Sequence, residues 1–148
     1  MEGSFGRPGT TYARTRFMRT VLIMLCLLPV TDCTPSPTGP TAPLDSEFLL
    51  APGQTLVVQG TSLTVRFNGV SGDSRCPADA LCIQGGSAQV AITAQSSDSS
   101  RDYELLTGDM RPVRHEELTI TLVQLTPYPF SARTIQPDEY RATFRVTR

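Results

Sequence analysis

From Asp45 onward, apolar and polar residues alternate with a period of two along most of the chain. Leu56 and Val58 form one such run, and Leu63, Val65 and Phe67 the next, with Gly60 between them as a tight connection requires. Ala88, Val90, Ile92 and Ala94 alternate next and stop at the polar run Ser96–Ser100. Tyr103 and Leu105 follow, then Leu118, Ile120 and Leu122, and finally Tyr140, Ala142, Phe144 and Val146. A weaker run covers residues 47–50. No stretch sustains the 3.6-residue period of a helix. Short alternating runs joined by Gly, Ser, Asp and Pro clusters predict an all-β fold. The expected form is a small antiparallel β-sandwich, or a partly open barrel, of about 7–8 strands with one buried face per strand.

Composition narrows this picture. The 148 residues suit one domain, and the portion from residue 46 to 148 is long enough for one core. The formal net charge is −1, so the basic footprint of a nucleic-acid binder is missing. Every Lys or Arg position is arginine, which we read as a coding bias and not as function.

The first 45 residues do not follow the strand pattern. Arg14, Arg16 and Arg19 precede an apolar run over residues 21–30, the arrangement of a secretory signal peptide over residues 1–32, with Met18 as an alternative start. The run is about half the ~20 residues needed to cross a bilayer as a helix. Residues 30–33, Val-Thr-Asp-Cys, resemble a bacterial lipobox, which would make Cys33 the lipidated mature N-terminus. Asp32 departs from that pattern, where Gly, Ala or Ser is usual, and leaves a periplasmic or secreted soluble protein as the alternative. The Pro- and Thr-rich residues 33–45 are expected to be a semi-rigid tether.

The remaining cysteines, Cys76 and Cys82, read as a disulfide in an exported chain. Rival readings fare worse. A redox pair is normally C-x-x-C, zinc needs four ligands while the chain has one histidine, and the spacing of Asp73 and Asp79 matches no EF-hand. These two acids are expected to cap turns and to pair with Arg75. Gly85 and Gly86 are expected to permit a bulge or turn after the loop.

Residues 73–77, Asp-Ser-Arg-Cys-Pro, with Cys82-Ile83 and Gly85-Gly86-Ser-Ala88, resemble a group of small bacterial envelope lipoproteins carrying a D-S-R-C-P…C-[IV]-W-A-G-x-A segment. The spacings around residues 63–70, 122–129 and 137–140 agree, so the resemblance spans roughly residues 47–147. Gln84 stands where that group has Trp, and Gly85 where it has Ala. The resemblance implies an envelope location and no particular activity.

Catalytic motifs are not evident. His115 sits among Arg114, Glu116 and Glu117 and is expected in a solvated turn, because neither adjacent acid is spaced to orient it as a base. No P-loop, G-x-G-x-x-G or G-x-S-x-G occurs. Asp138 and Glu139 lack an identifiable partner carboxylate. Arg141 and Arg145 fit a charge-protected edge strand, or an arginine stripe for anionic groups. Tyr128 and Phe130 are expected to close one end of the core.

The function expected from these residues is a non-enzymatic, lipid-anchored envelope module that binds a protein or cell-surface component. It needs no cofactor and no metal, and it binds no nucleic acid. The loop around Cys76 and Cys82, with Arg75 and Asp79 as exposed polar groups, is the expected contact element. Alternatives are a protease inhibitor presenting that loop, a structural subunit of an envelope complex, and a hydrolase or metal-dependent enzyme built on His115.

Overall fold

The computed structural model describes residues 39–148. The expected leader, Cys33 and the first part of the tether therefore lie outside the described residues. The described chain is all-β, in two sheets. The strands are β1 (Thr41–Ala42), β2 (Glu47–Leu50), β3 (Thr55–Val58), β4 (Thr64–Asp73), β5 (Ala88–Gln95), β6 (Ser100–Leu106), β7 (Val113–His115), β8 (Leu118–Thr126) and β9 (Arg141–Thr147). A single 3₁₀ turn, Pro137–Glu139, precedes β9. One sheet has the order β1-β3-β4-β5-β6 and the other β2-β9-β8-β7. Every pairing is antiparallel except β1 with β3.

The period of two places the core. Val65 and Phe67 on β4, Val90 and Ile92 on β5, Ile120 and Leu122 on β8, and Ala142 and Phe144 on β9 are all fully buried. The Phe67 and Phe144 rings, one from each sheet, meet edge to face at 6.0 Å, so the sheets pack face to face. Each of the Val, Ile, Leu and Phe side chains contributes about 1.5–3 kcal/mol by leaving water.

Two strands break the period, and both do so by a bulge. Phe67 and Val70 are three apart, and the β4 register against β5 shifts between Phe67 and Gly69, where Gly69 takes a φ of 138°. Leu122 and Leu125 are also three apart, and β8 shifts against β9 between Leu122 and Gln124. An extra residue returns the next apolar side chain to the inner face: Leu125 is buried and Val70 packs against the core. These bulges, and a further register shift of β4 between Val70 and Gly72, lie in the halves of β4 and β8 that run toward the loop between Cys76 and Cys82.

Three expectations need correction here. The tether was expected to run to residue 45, yet Thr41 and Ala42 already pair with Val57 and Val58, and Ala42 is in the core. His115, expected in a solvated turn, is on β7 opposite Leu118 and is 2% exposed. β9 is not an edge strand, since β2 and β8 flank it. Its Arg145 instead forms an ion pair with Glu47 on β2, and the Arg141 guanidinium donates to the Asp138 and Tyr140 carbonyls.

Candidate functional site

The stretch after β4 leaves the sheet and must return to begin β5. Its base is zipped by two serines: the Ser74 amide and hydroxyl donate to the Ser87 carbonyl at 3.0 and 2.9 Å, extending the ladder beyond Asp73 and Ala88. Gly86 is required at this crossing, because a Cβ there would lie 1.7 Å from the Ser74 carbonyl oxygen. The sequence assigned the glycine pair to a bulge or turn; its role at Gly86 is this close approach.

Cys76 and Cys82 form the expected disulfide, with Cα atoms 6.0 Å apart. Closing so short a ring contributes about 2 kcal/mol in the chain-entropy view, so its main effect is on loop shape. The loop is also fastened to the segment after β8. The Ala78 amide donates to the Pro129 carbonyl at 2.9 Å, and the Ser131 amide and hydroxyl donate to Asp79 Oδ1 at 2.8 and 3.1 Å. The Ser131 amide holds the Asp79 carboxyl below the usual value, outweighing the small opposing effect of burial. Asp79 is thus the exposed polar group expected, with Ser131 and not Arg75 as its partner.

Arg75 is placed differently from the expectation. It is 8% exposed, and its guanidinium points inward between the two sheets. Nε and Nη2 donate to the two Asp73 carboxylate oxygens at 2.9 and 2.7 Å, a bidentate pair. Nη1 donates to the Leu125 carbonyl and Nη2 to the Pro127 carbonyl, each at 2.9 Å. Those carbonyls flank the cis peptide between Thr126 and Pro127 at the end of β8. Arg75 therefore clasps the end of β4 to the end of β8, across the sandwich. It is a framework residue and is not available as a contact group.

Two neighbours complete the clasp. The Tyr140 hydroxyl, at the start of β9, donates to Asp73 Oδ2 at 3.1 Å. The backbone of Asp73 is open to solvent, but its side chain is only 11% exposed. Burial pushes that carboxyl upward; the hydrogen bonds and charge of Arg75, with the Tyr140 hydroxyl, outweigh it and hold the group below its ordinary value. Burial first, and then the Asp73 charge, raises the Tyr140 phenol above its ordinary value. On the outer side the Tyr128 ring lies 5.3 Å from the guanidinium carbon.

Beside the clasp lies an open cleft of about 290 Å³, walled by Thr107 and Met110 on one side and by Val123, Gln124, Thr126 and Tyr128 on the other. β7 pairs only with residues 118–120 of β8. From Thr121 onward the side of β8 away from β9 therefore has no strand partner among the described residues. Tyr128 and Phe130, expected to seal the core, are half exposed, and so is Met110. At the loop tip Leu81 and Ile83 are fully exposed. The sequence reading did not single out these two, because an apolar residue near a cysteine reads equally as core.

His115 lies at the opposite end of the sandwich. The Tyr103 hydroxyl donates to the Arg114 carbonyl at 2.8 Å and lies 3.2 Å from His115 Nδ1. Nε2 lies 3.3 Å from the Ser99 hydroxyl, which donates to Glu116 Oε1 at 2.8 Å. The Ser96 and Ser99 hydroxyls hold the Glu116 carboxyl below its ordinary value. Each ring nitrogen thus lies beside a hydroxyl, in a joint between β6 and β7, one strand from each sheet. Among the described residues no three of His, Cys, Asp and Glu come together as a metal-holding group. Asp138 and Glu139 lie in the 3₁₀ turn, where Glu139 accepts from the Gln136 amide and pairs with Arg133. Compared with family models, curated proteins and solved structures, the chain finds no match.

Proposed function

We propose that the chain is an exported, lipid-anchored module of the bacterial cell envelope that works by binding and not by catalysis. Its contact site is the cleft beside the Arg75 clasp, and its partner is a protein or cell-surface component. The observation that carries this reading is the pairing of a fixed frame with an unfinished surface. The frame is the buried clasp, the disulfide and the bonds from Ala78 and Asp79 to residues 129–131. The surface is the length of β8 from Thr121 to Gln124, before the carbonyl that Arg75 occupies, which has no strand partner on the side away from β9 among the described residues and is flanked by the exposed side chains of Met110 and Tyr128. A frame of this kind lowers the ordering cost of association. An open strand edge offers backbone donors and acceptors to an extended segment of a partner. The lipobox-like residues before Cys33 and the short Pro-rich stretch after it support the anchor.

The test compares wild type with Met110→Glu in cross-linking and co-purification from envelope extracts. Wild type is expected to hold one species at a fixed stoichiometry, and Met110→Glu to lose it while keeping the fold. If no species survives washing, or the variant retains it, the cleft is not the contact site. Intact mass of the membrane-fraction protein tests the anchor: a chain beginning at Cys33 and carrying acyl groups is expected, and a lipid-free mass overturns it.

A further inference from the structure

We infer that the tip of the disulfide loop is a second membrane contact, with Leu81 and Ile83 seated in the interfacial region of the bilayer that the Cys33 lipid enters. This inference rests on the anchored reading above. It starts from exposure: Leu81 and Ile83 are the most exposed large apolar side chains among the described residues, at 105% and 104%. Apolar residues scattered on a surface are ordinary, but two at the tip of a braced loop form a directed protrusion.

The surroundings grade as a bilayer surface does. Residues 80–86, Ala-Leu-Cys-Ile-Gln-Gly-Gly, carry no charge, so sinking the tip desolvates no ion. The nearest acid, Asp79, is turned to Ser131 on the segment behind the tip. That same segment carries Tyr128 and Phe130, half exposed, and aromatic rings of this kind favour the headgroup region. Further along it Arg133, paired with Glu139, remains exposed on the polar side.

Chain geometry limits how far the domain stands from an anchor. The six steps from Cys33 to Gly39 span at most about 20 Å by any path. β1 is parallel to β3, and β3 is antiparallel to β4, which runs to the loop. The chain before β1 therefore arrives from the loop side of the sheet. From Arg66, level with Thr55, to Asp73 at the loop, β4 rises roughly 23 Å. A tether of about 20 Å is shorter than this rise, so the loop end meets the bilayer with the sandwich tilted toward it. An acyl anchor gains from a second, weaker contact, because the first makes the second local.

The chain has no tryptophan, so one introduced indole is a unique reporter. Full-length protein isolated from the envelope of the producing cells is reconstituted in vesicles of phosphatidylethanolamine and phosphatidylglycerol, with or without brominated acyl chains. Ile83→Trp is expected to shift to the blue and to be quenched at least about twofold more than Leu49→Trp, on the outer face of β2. Adding Leu81→Asp to Ile83→Trp is expected to abolish the quenching while the protein still sediments with the vesicles. Sedimentation with equal, weak quenching at both positions overturns the loop contact and leaves the anchor standing; the tip then faces a protein. Failure to sediment, with a lipid-free mass, overturns the anchor and this inference together.

Discussion

Polar side chains join the two sheets at both ends of the sandwich, Arg75 at the loop end and His115 at the other, and the two joints are built differently. Arg75 is the donor to four acceptors, two on Asp73 and two backbone carbonyls on and after β8. Those carbonyls have the guanidinium as their side-chain donor, and removing it leaves a buried carboxylate without its counter-charge. His115 sits instead among groups that already have other bonds: Tyr103 donates to the Arg114 carbonyl, and Ser99 to Glu116. One joint is a hub whose loss strands its neighbours. The other is a shared contact whose neighbours are satisfied without it.

Replacing the residues at the centre of each joint tests that difference. Arg75→Met should cost about 3–5 kcal/mol, the penalty for breaking a buried pair from one side, read by urea denaturation without reductant. A loss as small as that at an exposed ion pair would make the clasp superficial. Asp73→Asn should cost less, about 1.5–3 kcal/mol at neutral pH, as for hydrogen bonds to a charged group. Its pH dependence fixes the sign. The folded-state carboxyl lies below its ordinary 3.8, so its contribution is complete above that value and is lost as pH falls through the folded one. Wild type and Asp73→Asn should therefore converge in stability in strong acid and diverge above about pH 4; parallel curves would remove the charge from the account. His115→Phe should cost least, about 1 kcal/mol, in the same denaturation series. A loss equal to that of Arg75→Met would mean that the two joints are alike.

The same contrast explains what the sequence made legible. Burial of alternating side chains is a local rule, so the core faces of β3 to β6, β8 and β9 could be read from apolar spacing alone. The bulges were present in the spacing too, as the three-residue intervals from Phe67 to Val70 and from Leu122 to Leu125. The disulfide needed only two nearby cysteines and the expectation of export. The partners of Arg75 were not visible: Leu125 and Pro127 lie 50 and 52 residues away, and they accept through backbone carbonyls that any residue would present. The charged neighbours of His115 pointed to solvent, while Tyr103 and Ser99, which accommodate it inside, lie more than ten residues away. β1 was hidden because two residues in a proline-rich run have no period to read.

β1 also decides how the domain bears load. It is held by the Val57 amide to the Pro40 carbonyl at 3.0 Å, by the Gln59 amide to the Ala42 carbonyl at 2.8 Å, and by the Gln59 side chain to the Thr41 hydroxyl at 2.9 Å. A pull on the chain before Gly39 runs along these few bonds in shear, and β1 lies outermost in its sheet. It can peel away while β3 keeps its pairing to β4. The domain thus has a short sacrificial segment between whatever restrains its N-terminal side and the rest of the sandwich, and release of that segment lengthens the leash under tension before the core yields.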